Sequence, residues 1–134
     1  MASHLINIDD VPDLEALIER PGGSTDPELL TSGRKATRYL GRPDDDPTSP
    51  KRPPFVFHIR RPKGDVTQDH AHAANRIEFL IEGRIEWRER GKTPVQYGAG
   101  TLSYVEAGTV YGYEVLEDAT ILLIFEKSPG MSYA

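Results

Sequence analysis

From Phe55 to Glu126 the chain runs as a succession of short β-type segments, and this texture limits the fold more than any other feature. The segments cover 55–60, 66–72, 77–82, 84–89, 94–97, 101–106, 110–115 and 120–126, and Gly, Pro or charged residues punctuate them. Strands spaced this regularly build a sandwich or a barrel. One segment, Ile121-Leu122-Leu123-Ile124-Phe125, is apolar on both faces and is expected to be a central, covered strand.

The first 54 residues read differently. Asp9 or Asp10 can cap a helix with Pro12 in its first turn and Leu14, Leu17 and Ile18 along one side; Pro21-Gly22-Gly23 ends it. Asp26 to Leu30 suits one further helical turn. Residues 41–54 hold five Pro and three consecutive Asp and read as a linker-like loop. The expected organisation is an N-terminal arm over 1–54 and one β-barrel domain over 55–134. A single barrel leaves a sheet edge open, and open edges invite uncontrolled pairing. The run Lys35 to Leu40 is placed to cover such an edge, on its own barrel or on a partner's.

A chain of 134 residues fits one domain and can bury a core without a staple. It has no Cys, which excludes disulfides and thiolate metal sites. The net charge of -5 and the lack of a Lys/Arg stripe argue against a nucleic-acid partner. The basic clusters Lys51-Arg52 and Arg60-Arg61-Pro62-Lys63 are short, broken by Pro, and read as solvated charge. No apolar run reaches the ~18–20 residues that span a bilayer. Met1 to Asp10 has no basic stretch followed by an apolar core, so neither a signal peptide nor a membrane partner is expected, and a cytoplasmic location is the default.

Three of the four His lie between residues 58 and 72. His70-Ala71-His72 is the sharpest chemical signal. Residues i and i+2 of a strand share a face, so two imidazoles ~6–7 Å apart along it can converge on one metal ion. The same alternation puts Gln68 beside His70, where it can contact a substrate. There is no Gly-x-Ser-x-Gly elbow, phosphate loop or dinucleotide fingerprint.

The surroundings of this pair resemble the cupin superfamily. The first cupin motif runs Gly, five residues, His-x-His, three or four residues, Glu, six residues, Gly. Here Gly64 precedes His70 and His72 by the right interval, and the motif closes on Leu80-Ile81-Glu82-Gly83-Arg84. The second motif runs Gly, five residues, Pro-x-Gly, two residues, His, and is matched by Gly100, then Glu106-Ala107-Gly108, then Tyr111. The resemblance covers about residues 55 to 126. It implies an all-β, cupin-type antiparallel barrel of jelly-roll form with a short helical arm, acting on a small molecule, and a homodimer by default.

Two of the four ligand positions that the resemblance implies are changed. Arg76 stands where the motif has Glu, and Tyr111 where it has His. Arg stays protonated and cannot ligate. Glu78, on the same strand face, can supply an oxygen ligand or pair with Arg76. His58, on the preceding strand, can offer a third imidazole, and Tyr104 and Tyr113 can touch a substrate. Three readings follow. In the first, His70 and His72 hold a divalent metal (Fe, Mn, Ni or Zn), with Glu78, Tyr111 or water completing the shell, for a dioxygenase, isomerase or lyase acting on an aromatic, enolic or carbonyl-containing metabolite. In the second no metal takes part: His70 or His72 is the base, Arg76 stabilises a developing oxyanion and Tyr111 gives a proton. In the third the pocket binds a ligand without turning it over.

Overall fold

The computed structural model describes residues 3–16, 33–46 and 51–129, and the backbone of 131–133. Among the described residues eight strands form: β1 (Ala36–Tyr39), β2 (Phe55–Arg61), β3 (Val66–His72), β4 (Arg76–Glu89), β5 (Val95–Gly98), β6 (Leu102–Val105), β7 (Tyr111–Phe125) and β8 (Met131–Tyr133). Every pairing is antiparallel, and β7 lies at the centre, bonded to β2, β3 and β4. The result is the expected all-β jelly-roll barrel.

Four expected strands merge into two. Gly83 and residues 116–119 were read as breaks, yet β4 and β7 run through them as strands of 14 and 15 residues. The register between them slips at Leu80/Glu82, Glu82/Arg84 and Arg84/Ile85. Gly83 has φ 96°, and a Cβ there would lie 2.4 Å from the Asp118 carbonyl oxygen. A glycine at this crossing lets both strands bend together where a turn was expected. The first half of β4 and the second half of β7 join β1, β2 and β6 in one sheet. The other halves join β3, β5 and β8 in the facing sheet.

Between the sheets lies a core that includes Phe55, Ile59, Leu80, Ile85, Tyr113, Val115, Ile121 and Phe125. Alternation explains the choice: along 121–125 of β7, Ile121, Leu123 and Phe125 are buried, whereas Leu122 and Ile124 are half-buried on the outer face. This strand is central as expected but only partly covered on its outer side.

Only the start of the expected arm helix falls within the described residues. The described part holds two single 3₁₀ turns, Ile8–Asp10 and Leu14–Ala16. Asn7, and neither Asp9 nor Asp10, caps the first. Asp13 accepts the backbone N–H of Glu15 and of Thr37, both at 2.9 Å, which ties the second turn to β1. Leu17, Ile18 and the run Asp26 to Leu30 lie outside the described residues. β1, within the run 35–40, pairs with β2 through Ala36↔Arg60 to Tyr39↔Phe57 and so extends the sheet. Among the described residues no helix is long and apolar enough to cross a membrane.

The arm also inserts side chains into the barrel. Leu14 is 1% exposed and belongs to the core. Glu15 accepts from Arg61 Nη2 at 2.9 Å and from the Thr37 hydroxyl. Arg61, read from the sequence as solvated charge, is buried, because Phe55, Phe57, Ile59 and Arg61 share the inward face of β2. Its guanidinium also donates to the carbonyls of Ala36 at 3.0 Å and Arg60 at 2.8 Å. Removing one partner of a buried pair strands the other charge. Glu15→Ala is therefore expected to lower the unfolding free energy by about 3 kcal/mol in urea titrations. A loss below ~0.5 kcal/mol, the size of an ordinary surface change, would show that Glu15 does not hold Arg61.

Candidate active site

β3 carries a bulge. Val66 and Thr67 oppose Glu114 and Tyr113, but His70 opposes Tyr111, so β3 spends one residue more than β7 over this interval. Gly112 makes room for it: a Cβ there would stand 2.6 Å from the Thr67 carbonyl oxygen and 2.8 Å from Asp69 Oδ1. An extra residue reverses the in–out alternation. Thr67, opposite the buried Tyr113, and His70, opposite the buried Tyr111, consequently both face inward. Gln68, expected beside His70, is exposed; only its backbone carbonyl contributes to the site.

His70, 2% exposed, is held at both ring nitrogens. Nδ1 lies 2.9 Å from the Gln68 carbonyl oxygen and Nε2 lies 2.9 Å from the Tyr111 hydroxyl. A carbonyl only accepts, so Nδ1 carries the hydrogen; Nε2 then accepts from the Tyr111 O–H. Burial holds His70 below the ordinary imidazole range, and Arg76 adds to this against the opposing Gln68 bond. Burial pushes the Tyr111 phenol well above its ordinary value, with Glu78 acting in the same direction. The pair is therefore a neutral imidazole and a neutral phenol near pH 7.

Around this pair the rings are close. His72 meets His70 edge to face at a centroid distance of 4.9 Å and lies 5.2 Å from Phe125. Trp87 stacks on Tyr111 at 4.2 Å and 9°. The Arg76 guanidinium lies 4.5 Å from the Tyr111 ring centroid, a cation–π contact in a buried setting, and donates to Glu78 at 3.2 Å. Burial pushes the Glu78 carboxyl up, opposed by Arg76.

These groups border a cavity of about 170 Å³. His70, His72, Glu78, Tyr111 and Tyr113 line it, and Arg76 is buried alongside, over Tyr111. The cavity wall also includes Phe57, Leu123 and Phe125, and Arg61 with Thr37 from the arm side. Arg61 and Thr37 were missed as lining residues, although the alternation along β2 contains the signal for Arg61. Two expected contacts fail. His58 alternates with Phe57 and Ile59 and so faces away from the cavity; it is buried there beside Arg38 and Arg60, which with burial lower its pKa, and its Nδ1 has no hydrogen-bond partner among the described residues. Tyr104 is 79% exposed, on the outward face of β6.

A family model described as "Cupin domain" matches residues 57–125, just over half of the chain. The protein belongs to the cupin family. No curated protein matches it in sequence. Solved structures share its fold at low identity. Polyketide cyclase RemF of Streptomyces resistomycificus superposes with a TM-score of 0.70 at 13% identity, over 96% of this cupin and 82% of RemF. DMSP lyase DddQ of Ruegeria pomeroyi gives 0.60 at 19% identity, over 75% of this chain and 52% of the lyase, so the chain spans about half the lyase's length. KdgF of a Halomonas species gives 0.57 at 16%, over 71% and 80%.

The metal that the cupin resemblance implies does not fit the side chains present. Both ring nitrogens of His70 are committed within the protein, and the Glu78 carboxylate is committed to Arg76. Arg76 places a fixed positive charge where the family motif has a carboxylate. Among the described residues no three His, Asp or Glu side chains converge as a ligand set. The trio His70, His72 and Glu78 expected from the sequence is thus brought to one cavity but not arranged as a shell.

Breaking the buried pair tests this electrostatic arrangement. Arg76→Met leaves Glu78 buried without its cation and is expected to cost about 3–5 kcal/mol, whereas Arg76→Met with Glu78→Leu should recover most of that. A carboxyl whose folded pKa exceeds its unfolded value of about 4.5 binds its proton more tightly when folded. The single variant should therefore gain stability as the pH falls from neutral toward that value, and lose it as the pH rises. Equal stabilities for single and double variants across pH 5–8 would contradict the pairing.

Proposed function

We propose that this cupin is a metal-independent enzyme that moves a proton between carbon and oxygen of a small, uncharged ring bearing a carbonyl or enolic hydroxyl, as an isomerase, cyclase or lyase does. The observation that carries the reading is the 2.9 Å bond from the Tyr111 hydroxyl to His70 Nε2 inside the cavity. Size sets the ring count: an engineered cavity of about 150 Å³ takes benzene, so 170 Å³ accommodates one substituted six-membered ring. Charge sets the rest. Arg76 is paired with Glu78 and Arg61 with Glu15, so the walls offer no surplus charge for a carboxylate or an ammonium group.

In the proposed step the proton of a carbon beside the carbonyl passes to the Tyr111 oxygen while Tyr111 gives its own proton to His70 Nε2. The C–H electron pair becomes the C=C of the enolate, and its charge rests on the substrate oxygen. Reversal of the relay returns the proton to a different atom and completes an isomerisation; attack of the enolate carbon on a second carbonyl of the same molecule forms the C–C bond, and the oxygen of that carbonyl takes the proton back from His70 through Tyr111, which completes a cyclisation. The Arg76 guanidinium over the Tyr111 ring stabilises negative charge during the transfer. His72, on the cavity wall and in contact with His70, is a second proton acceptor. The shared fold of a polyketide cyclase and of a lyase supports this class by analogy.

The test follows solvent deuterium into single-ring 1,3-diketones and resorcinols by NMR, with protein dialysed against chelator. Exchange should be indifferent to chelator and to added Zn, Fe, Mn or Ni. Tyr111→Phe and His70→Ala should each slow it ~100-fold or more. The acidic limb of the rate should lie below pH 6.5, since burial lowers the His70 pKa. Exchange that vanishes with chelator and returns with one metal would establish the metal-dependent reading. Ring compounds that raise the melting temperature without exchanging would establish a binding module.

The homodimer is part of the same proposal. Ile77, Phe79, Leu122 and Ile124 sit in paired register on the outward face of their sheet, where a second copy can cover them. Light scattering should report a dimer that Leu122→Lys weakens; a monomer at high concentration would refute it.

A further inference from the structure

A second cavity opens on the side of the barrel that is left unsealed. Among the described residues β5 and β6 pair only with β4, so their free edges face each other across a seam between the two sheets. Along this seam runs a cleft of about 370 Å³, lined by side chains that include Trp87, Tyr97, Tyr104, Val95, Thr101 and Ser103. It is separate from the His70 cavity: the two share no lining residue.

Three properties of the cleft define what it can hold. First, its walls are flat and aromatic. Trp87 stacks on Tyr111 at 4.2 Å and runs parallel to Tyr113 at 6.5 Å, and the indole also lines the cleft. Tyr104 is 79% exposed and Val95 57% exposed at the rim, a surface that costs hydration free energy while it stays uncovered. Second, the hydroxyl oxygens of Thr101, which donates its proton to the Gly98 carbonyl at 2.8 Å and can still accept, and of Ser103 stand among these apolar surfaces, with the unpaired strand-edge amides and carbonyls nearby. Third, there is no surplus charge. The charged residues of the lining, Lys92 and Glu89, neutralise each other at 2.6 Å.

From these properties we infer that the cleft is a second binding site, for a planar, uncharged, hydroxyl-bearing ring compound that stacks on Trp87 and is flanked by Tyr104 and Val95. Its volume is more than twice that of the inner cavity, so it admits fused two-ring compounds that the inner cavity excludes. Ligands of the two sites meet opposite sides of one aromatic wall, Tyr111 backed by Trp87. This site does not depend on the chemistry proposed for the inner cavity.

Trp87 is the only Trp of the chain and reports on the cleft directly. The full chain is titrated with 1,3-dihydroxynaphthalene while Trp fluorescence is followed, and circular dichroism checks the fold of each variant. Saturable quenching is expected. Tyr104→Ala with Val95→Ser should weaken binding about tenfold, the loss of one aromatic contact and its buried area. His70→Ala, which removes a side chain of the inner cavity that does not line the cleft, should leave the affinity within twofold of the parent chain. Nuclear Overhauser contacts from the naphthalene protons to the Val95 methyls should appear. Quenching that survives the Tyr104/Val95 variant but is lost in His70→Ala would place the ligand in the inner cavity and overturn the proposal. Absence of saturable quenching up to millimolar ligand would overturn it as well. If the Tyr104/Val95 variant instead changes the oligomeric state, the cleft is a contact between copies of the chain and the small-molecule site is wrong.

Discussion

Between Thr67 and His70, β3 carries one residue more than the stretch of β7 it pairs with, and much of the site follows from that count. Without the bulge, a strand with Thr67 facing Tyr113 would turn His70 toward solvent and Asp69 inward. With it, His70 and His72 are buried, and Gln68 supplies a carbonyl where a side chain was expected. The bulge itself depends on Gly112, since the Thr67 carbonyl occupies the space of a Cβ. A backbone irregularity beside a functional site is how a sheet re-aims a side chain. Here it aims an imidazole at the phenol of Tyr111.

Two buried ion pairs hold the barrel interior at neutral charge. Arg76 with Glu78 lies at the Tyr111 end, and Arg61 with Glu15 at the end closed by the arm. Such pairs add little net stability over apolar residues of equal volume, because desolvation offsets attraction. Their effect is on chemistry. The fixed Arg76 charge adds to the lowering of the His70 pKa by burial and sits over the ring of the phenol that, on the proposed reading, relays the proton. The same charge works against a cation in the cavity. On the proposed reading, Arg76 in place of the motif's Glu and Tyr111 in place of its His put proton donors and acceptors where the motif has ligands.

The β-barrel was legible because strand runs and turn residues are local, and β3 matches its expected bounds. His70 and His72 were legible from their i, i+2 spacing, and Glu78 and Tyr111 from the positions that the cupin resemblance gives them. The failures share a cause: they depend on pairing between distant strands. Gly83 reads as a turn in sequence, but the close crossing with Asp118 makes it a bend within β4. Gln68 follows simple alternation on paper, and the bulge that cancels it requires Gly112 from another strand. His58 and Tyr104 were placed by neighbourhood and residue type, whereas the face each takes is set by the parity of β2 and β6. Arg61 was hidden because a basic cluster gives no sign that one member has a buried carboxylate partner 46 residues earlier.

The central claim is that His70 is a neutral imidazole, protonated on Nδ1, with Nε2 accepting from Tyr111. Nitrogen-15 NMR of labelled protein at pH 7 reads this state directly, since protonated and unprotonated ring nitrogens resonate far apart. The account expects the Nδ1–H form for His70, unchanged when one equivalent of Zn is added and altered in Tyr111→Phe. An imidazolium at His70, the Nε2–H tautomer, or a zinc-induced shift of its Nε2 would contradict it.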